Sequence, residues 1–152
     1  MLLFIYNWLS KKYIINITHS LPRGVYKLST PVNINKGDVI VFSIPKKINP
    51  LIYKRGYAPS RVSSLLKLVG ATNEDKIKII QNTLFVNEVS WGKIHKFDSL
   101  NRPLPILKEN ELQPKKNEIL PLALTKNSFD GRYFGGISKD SIKYKAMLLI
   151  AF

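Results

Sequence analysis

The chain contains no cysteine. Disulfides and thiol nucleophiles are therefore excluded, and with them the usual sign of an oxidising compartment. Histidine is nearly as scarce: His19 and His95 are the only 2. Neither stands in a His/carboxylate spacing such as HExxH, so too few ligands remain for a zinc site. The sequence has no GxxxxGK[ST] or GxGxxG loop to cradle phosphates, which removes nucleotide hydrolysis, and no GxSxG elbow of the histidine-assisted serine hydrolases. It also lacks an apolar run of spanning length. The opening "MLLFIYNWLS" stays apolar for about nine residues before Lys11 and Lys12, against the ~20 that a membrane helix needs. The basic pair follows the apolar run, opposite to the order of a secretory leader. Residues 1–15 thus read as a short apolar segment: the remnant of an anchor, an interfacial element, or a first piece of core.

Acidic residues are few, 10 against 24 Lys and Arg, for a formal charge of +14. Such a surface favours polyanions, either nucleic acid or anionic lipid headgroups. At 152 residues the chain is read as one folded unit over 16–152, long enough to form a core without metal or disulfide staples.

What is present is a rhythm of short apolar runs cut by Gly, Pro and Asn, which predicts a mainly β protein. Strands are expected at 38–44 (DVIVFSI), 76–80 (KIKII) and 83–86 (TLFV), with Asn87 and Glu88 turning the last into 89–94 (VSWGKI). Two stretches, from Pro45 to Arg61 and from Phe97 to Asn117, carry several prolines and charges and read as long loops. Residues 63–71 (SSLLKLVGA) leave helix and strand open. The closing run 141–152 passes from alternation to continuous apolarity, as in a buried strand.

Three places could carry chemistry. Ser20, in "NITHSLPRGVYKL", precedes a proline and reads locally as a turn residue. Lys67, in "LLKLVGA", is flanked by two apolar residues on each side. A lysine can serve as base to a serine only if desolvation lowers its pKa, yet composition alone favours a strand lysine turned to solvent. "NSFDGRYFGG", residues 127–136, reads in isolation as a turn with a local Asp130/Arg132 ion pair.

Taken in order, these features resemble the type I signal peptidases, and more narrowly their TraF-type branch of conjugative transfer. Asn16, Thr18, Ser20, Pro22, Gly24 and Tyr26 are similar to that branch's Asn-x-Thr-x-Ser-x-Pro-x-Gly-x-Tyr signature. "GDVIVF", the embedded lysine followed by Val-Gly, and Ser-x-Asp-x-Arg-Tyr-Phe-Gly follow in register. The pattern departs where "LALTKN" replaces a Gly-Asp-Asn, and where Asn73, Glu74 and Asp75 replace a Gly-Asp.

The resemblance implies a signal-peptidase-like folded β-sheet domain, of the LexA and signal peptidase type, with long proline-rich loops and no cofactor. It implies Ser20 as nucleophile, Lys67 as general base, and Thr18 with the Ser20 backbone N–H as oxyanion donors. Ser128 would orient the lysine, and Asp130 with Arg132 would form a structural ion pair. Action is implied at the outer side of the cytoplasmic membrane, on a pilin-like or other exported precursor that is cut or cyclised. A basic all-β binding module for DNA or membrane, without catalysis, is the alternative from another class, and a general signal peptidase is the alternative within the same mechanism.

Overall fold

The computed structural model describes residues 12–152, and its architecture is the mainly β one expected. Turn chemistry explains where strands begin and end. Asn87 and Glu88 both hold left-handed backbone, φ 48° and 69°, the geometry whose twist matches a two-residue hairpin. The chain therefore folds straight back on itself there. Earlier strands are β1 (Tyr13–Asn16), β2 (Gly24–Ser29), β3 (Val39–Ser43), β4 (Ser64–Thr72) and β5 (Ile77–Ile80). The hairpin joins β6 (Thr83–Val86) to β7 (Val89–Lys93), and β8 (Glu118–Leu122), β9 (Ile137–Ser138) and β10 (Ile142–Ala151) complete the set.

Seven of these form one sheet in the order β1-β2-β10-β3-β4-β8-β9, and β5-β6-β7 form a second. All the pairings are antiparallel. Two apolar clusters form the core, and the second joins the two sheets. Ile40, Phe42, Val69, Ile119 and Phe134 belong to the first. Ala71, Leu84, Leu112, Leu120 and Tyr133 belong to the second, and Phe129 packs against both.

The stretch 63–71, open to either reading, is strand β4. The two long loops contain short helices that the prolines obscured: α1 (Asn49–Lys54) and α2 (Glu109–Leu112). Pro50 sits in the first turn of α1, where a missing N–H removes no helical hydrogen bond, so it starts the helix instead of breaking it. The C-terminal run corrects an expectation. It is strand, but its apolar end is exposed: Met147 59%, Ile150 63% and Phe152 63%. Hydrophobicity announced burial, but past Ala146 the strand leaves β3 and keeps only β2 as its partner among the described residues. Of the apolar segment 1–15, residues 1–11 lie outside the described residues, while Tyr13 to Ile15 run in β1.

One carboxylate ties the two long loops together. Asp98 accepts hydrogen bonds from the Tyr57 hydroxyl (2.6 Å), Arg102 Nε (2.8 Å) and the backbone N–H groups of Leu100 (3.0 Å) and Arg102 (2.9 Å). Arg55 stands 3.7 Å away. Burial alone would raise the Asp98 pKa, but these donors outweigh it and hold the carboxyl well below the usual carboxylate range.

Candidate active site

The turn that presents Ser20 is built on Asn16. That residue pairs with Gly24 across β1 and β2 and closes the loop 17–23. Its side chain is buried and fully used. Nδ2 donates to the carbonyls of Thr18 (3.3 Å), Leu21 (3.1 Å) and Pro22 (3.1 Å), while Oδ1 accepts from Thr18 N (3.1 Å) and Thr18 Oγ1 (2.7 Å). Tyr26, also buried, donates its hydroxyl to the Pro22 carbonyl at 2.7 Å. A Cβ on Gly24 would collide with the Ile150 carbonyl, so only glycine lets β10 lie this close. The Ser20 carbonyl accepts from Leu124 N at 3.0 Å, pinning the turn to the chain that leaves β8.

Asn16, Gly24 and Tyr26 thus each have a structural task in this turn that depends on the side chain or its absence. Removing the Tyr26 hydroxyl should leave part of this turn unsatisfied. Tyr26→Phe is expected to lower unfolding free energy by about 1–2 kcal/mol, read from urea denaturation; an unchanged midpoint would mean that water takes over the Pro22 carbonyl.

Lys67 reaches the site through strand parity. Leu65, Lys67 and Val69 share one face of β4, and Leu65 and Val69 pack into the first cluster, so the lysine enters the protein on the same side. It is only 5% exposed, the reverse of the outward lysine that composition favoured. Burial lowers its pKa to about 8. Asp130 offsets part of that shift and Arg132 adds to it. Its Nζ donates to Ser128 Oγ at 2.7 Å.

Asp130 and Arg132 lie behind the site and not in it. Arg132 Nε and Nη2 grip the two carboxylate oxygens at 2.9 Å each, with the side chains 1% and 0% exposed. Asp130 also accepts from Arg132 N (3.0 Å) and Ala123 N (2.8 Å), capping helix α3 (Gly131–Phe134). The remaining guanidinium protons reach the carbonyls of Lys93, Thr125, Lys126 and Ser128. Gly131 leaves room for this packing, since a Cβ there would sit 2.6 Å from the Pro121 carbonyl.

Ser20, Thr18, Lys67 and Ser128 line one cleft of about 1090 Å³. Ser20 Oγ lies 3.0 Å from Thr18 Oγ1. Among the described residues no hydrogen bond joins Ser20 to Lys67; their common feature is the cleft. The two long loops supply part of its wall, with Tyr57, Pro59, Arg61, Phe97 and Asp98. Phe129 stacks on Tyr133 with ring centroids 5.4 Å apart and meets Tyr57 at 5.2 Å and Phe134 at 5.8 Å. The residue after Ser128 is therefore held among aromatic rings.

Sequence reasoning weighed His95 only as a metal ligand or triad base and gave Asn16 no role. The structure puts His95 in the cleft wall, with Nε2 buried and without a hydrogen-bond partner among the described residues. Asn16 was legible in principle, because an Asn two residues before a Thr is the pattern of a side chain bonding the backbone two residues on.

Comparison with known proteins places the chain in a family. The family model described as signal peptidase, peptidase S26, matches residues 1–151. A plasmid transfer protein TraF of Escherichia coli is 29% identical over 138 residues, covering 85% of this chain and 77% of that protein. A second Escherichia coli plasmid transfer protein TraF is 30% identical over 138 residues, covering 84% and 77%.

Proposed function

Because the chain belongs to the signal peptidase family, peptidase S26, we propose that it is a Ser/Lys endopeptidase of plasmid transfer that matures a pilin-like exported precursor at the membrane. The observation that carries the reading is Lys67: a buried strand lysine, its pKa lowered to about 8 by desolvation, opening on the cleft that Ser20 lines. A strand lysine with no chemical task would point to water. The role in transfer rests on the relatives' names, and the pilin-like substrate on the resemblance in the signature.

In this mechanism neutral Lys67 accepts the Ser20 hydroxyl proton as Oγ bonds to the peptide carbonyl carbon. The carbonyl electron pair moves to oxygen, which the Ser20 N–H and Thr18 receive; one such donor is worth roughly 3–4 kcal/mol. Collapse breaks the C–N bond, and the Lys67 ammonium returns its proton to the leaving amine. Water, or an amine of the substrate, then attacks the ester in the same way, giving an open or a cyclic product. Ser128 holds the lysine while it cycles between charge states.

The pH profile follows from the lysine. Below pH about 8 the neutral fraction falls tenfold per unit, so kcat/KM should rise with slope one and level off above it. A profile flat from pH 6 to 9 would count against Lys67 as base. The membrane setting draws support from exposed Ile15, Ile17, Met147, Leu149, Ile150 and Phe152, apolar side chains on a strongly basic protein.

The deciding experiment is intact mass spectrometry of a pilin precursor encoded near this gene, incubated in lipid with wild type, Ser20→Ala and Lys67→Ala. A product from wild type alone supports the peptidase, and a mature mass lower by one water marks cyclisation. Processing by either variant would overturn the assignment. The charge of +14 favours one other reading, a polyanion-binding module; it requires DNA binding that weakens steeply with salt and ignores Ser20.

A further inference from the structure

We propose that Asn16 is a positioning residue for the nucleophile: through Thr18 it sets which way the Ser20 hydroxyl points its proton. The inference rests on Ser20 as nucleophile and goes beyond it to a residue that touches no reacting atom.

Proton counting carries the argument. Asn16 Oδ1 can only accept, and the amide nitrogen beside it is committed to three carbonyls, so its orientation is fixed. Thr18 Oγ1 lies 2.7 Å from that oxygen and must be the donor. A hydroxyl has one proton. In the 3.0 Å contact between Thr18 Oγ1 and Ser20 Oγ, Ser20 is therefore the donor and Thr18 the acceptor. The protons run in one direction, from Ser20 to Thr18 to Asn16, while the Lys67 ammonium is turned to Ser128.

That chain holds the Thr18 hydroxyl beside Ser20 in one rotamer, where it can serve as an oxyanion donor without a search. When a peptide carbonyl enters, two proton bonds exchange. The Ser20 proton passes to neutral Lys67 as the Oγ–C bond forms, and the Thr18 hydroxyl turns from Asn16 to the developing oxyanion. Asn16 Oδ1 is not left bare, because the Thr18 backbone N–H stays on it at 3.1 Å. A side chain that kept only the loop shape could not act through a neighbour's hydroxyl in this way.

A double-mutant cycle on the full chain tests this with p-nitrophenyl acetate, an activated ester whose nitrophenolate release reports acylation without the natural substrate. The wild-type rate should depend on Ser20. Thr18→Val, which removes the hydroxyl but keeps the branched shape, should slow it about 100-fold, as for loss of one oxyanion donor, and Asn16→Ala should slow it about 10-fold or more. The double variant should be no slower than Thr18→Val alone, within about threefold, because the second effect runs through the first. Losses that multiply would make Asn16 a loop-shaping residue only and overturn the proposal, as would an Asn16→Ala rate equal to wild type. The same cycle with Asn16→Leu, which keeps a similar volume but offers the Thr18 hydroxyl no acceptor, serves if the alanine variant does not fold. A wild-type rate matched by Ser20→Ala would instead strike the nucleophile itself, and this proposal with it.

Discussion

Arg132→Met should unfold this protein about 3–5 kcal/mol more easily than wild type, the usual loss when one partner of a buried ion pair is removed. At this chain length each kcal/mol moves Tm by about 2–4 °C, so a fall of roughly 6–20 °C is expected by calorimetry. The reason is specific. Met fills much of the volume but leaves the fully buried Asp130 carboxylate without its two guanidinium bonds. The Ser128 carbonyl loses its guanidinium donor as well, and the Thr125 carbonyl keeps only the Ser128 N–H at 3.4 Å. Since Ser128 carries the oxygen that receives Lys67 Nζ, activity should drop in the variant even where it remains folded. A stability loss below about 1 kcal/mol would show that water or a shifted backbone replaces the guanidinium.

Lys67→Met should do the opposite to stability while ending activity. In an unfolded chain lysine keeps its proton to about pH 10.4; in the fold it loses it near pH 8. Between those values the unfolded state binds the extra proton, so native stability rises with pH across that window. Below pH 8 the fold carries the whole penalty of a desolvated ammonium, about 3 kcal/mol from the difference in pKa. Removing the amine removes the penalty. At pH 7 the variant should be more stable by about that amount, with the gain shrinking toward pH 10, and should turn over at least about 10⁴-fold more slowly, the scale of losing a nucleophile's base. Equal stability of both proteins at pH 7 would mean the ammonium is well solvated, and would remove the physical basis for its acting as base.

The same lysine shows what could be read in advance and what could not. "LLKLVGA" is apolar on both sides of the lysine, so no alternation was visible to say which way Lys67 faced; the packing of Leu65 and Val69 and the pairing of Ile40 with Lys67 assign the face. Strands bounded by strong turn residues were legible, Thr83–Val86 to the residue. The helix at Asn49–Lys54 was hidden because the prolines of 45–61 argue against strands, and a loop reading leaves no place for Pro50 as a helix starter. The outward face of Met147 to Phe152 was illegible for another reason: a sequence shows that side chains are apolar, not what covers them. At the site, Ser20, Thr18, Lys67 and Ser128 were found through the resemblance, and they meet at one cleft. Asn16 was legible only in its bond to Thr18 N two residues on; its bonds to the carbonyls of Leu21 and Pro22 span five and six residues and follow no local pattern.

The Asp98 knot bears on how this cleft can change over generations. Tyr57 and Arg55 come from one loop, Asp98 and Arg102 from the other, and both loops supply wall residues beside Ser20. Either loop transplanted alone into a relative would arrive without the partner its charges were matched to, leaving a carboxylate short of donors or an arginine and a tyrosine hydroxyl short of an acceptor. The walls of the cleft are heritable as a pair, and recombination that divides the chain between residues 57 and 98 would separate them.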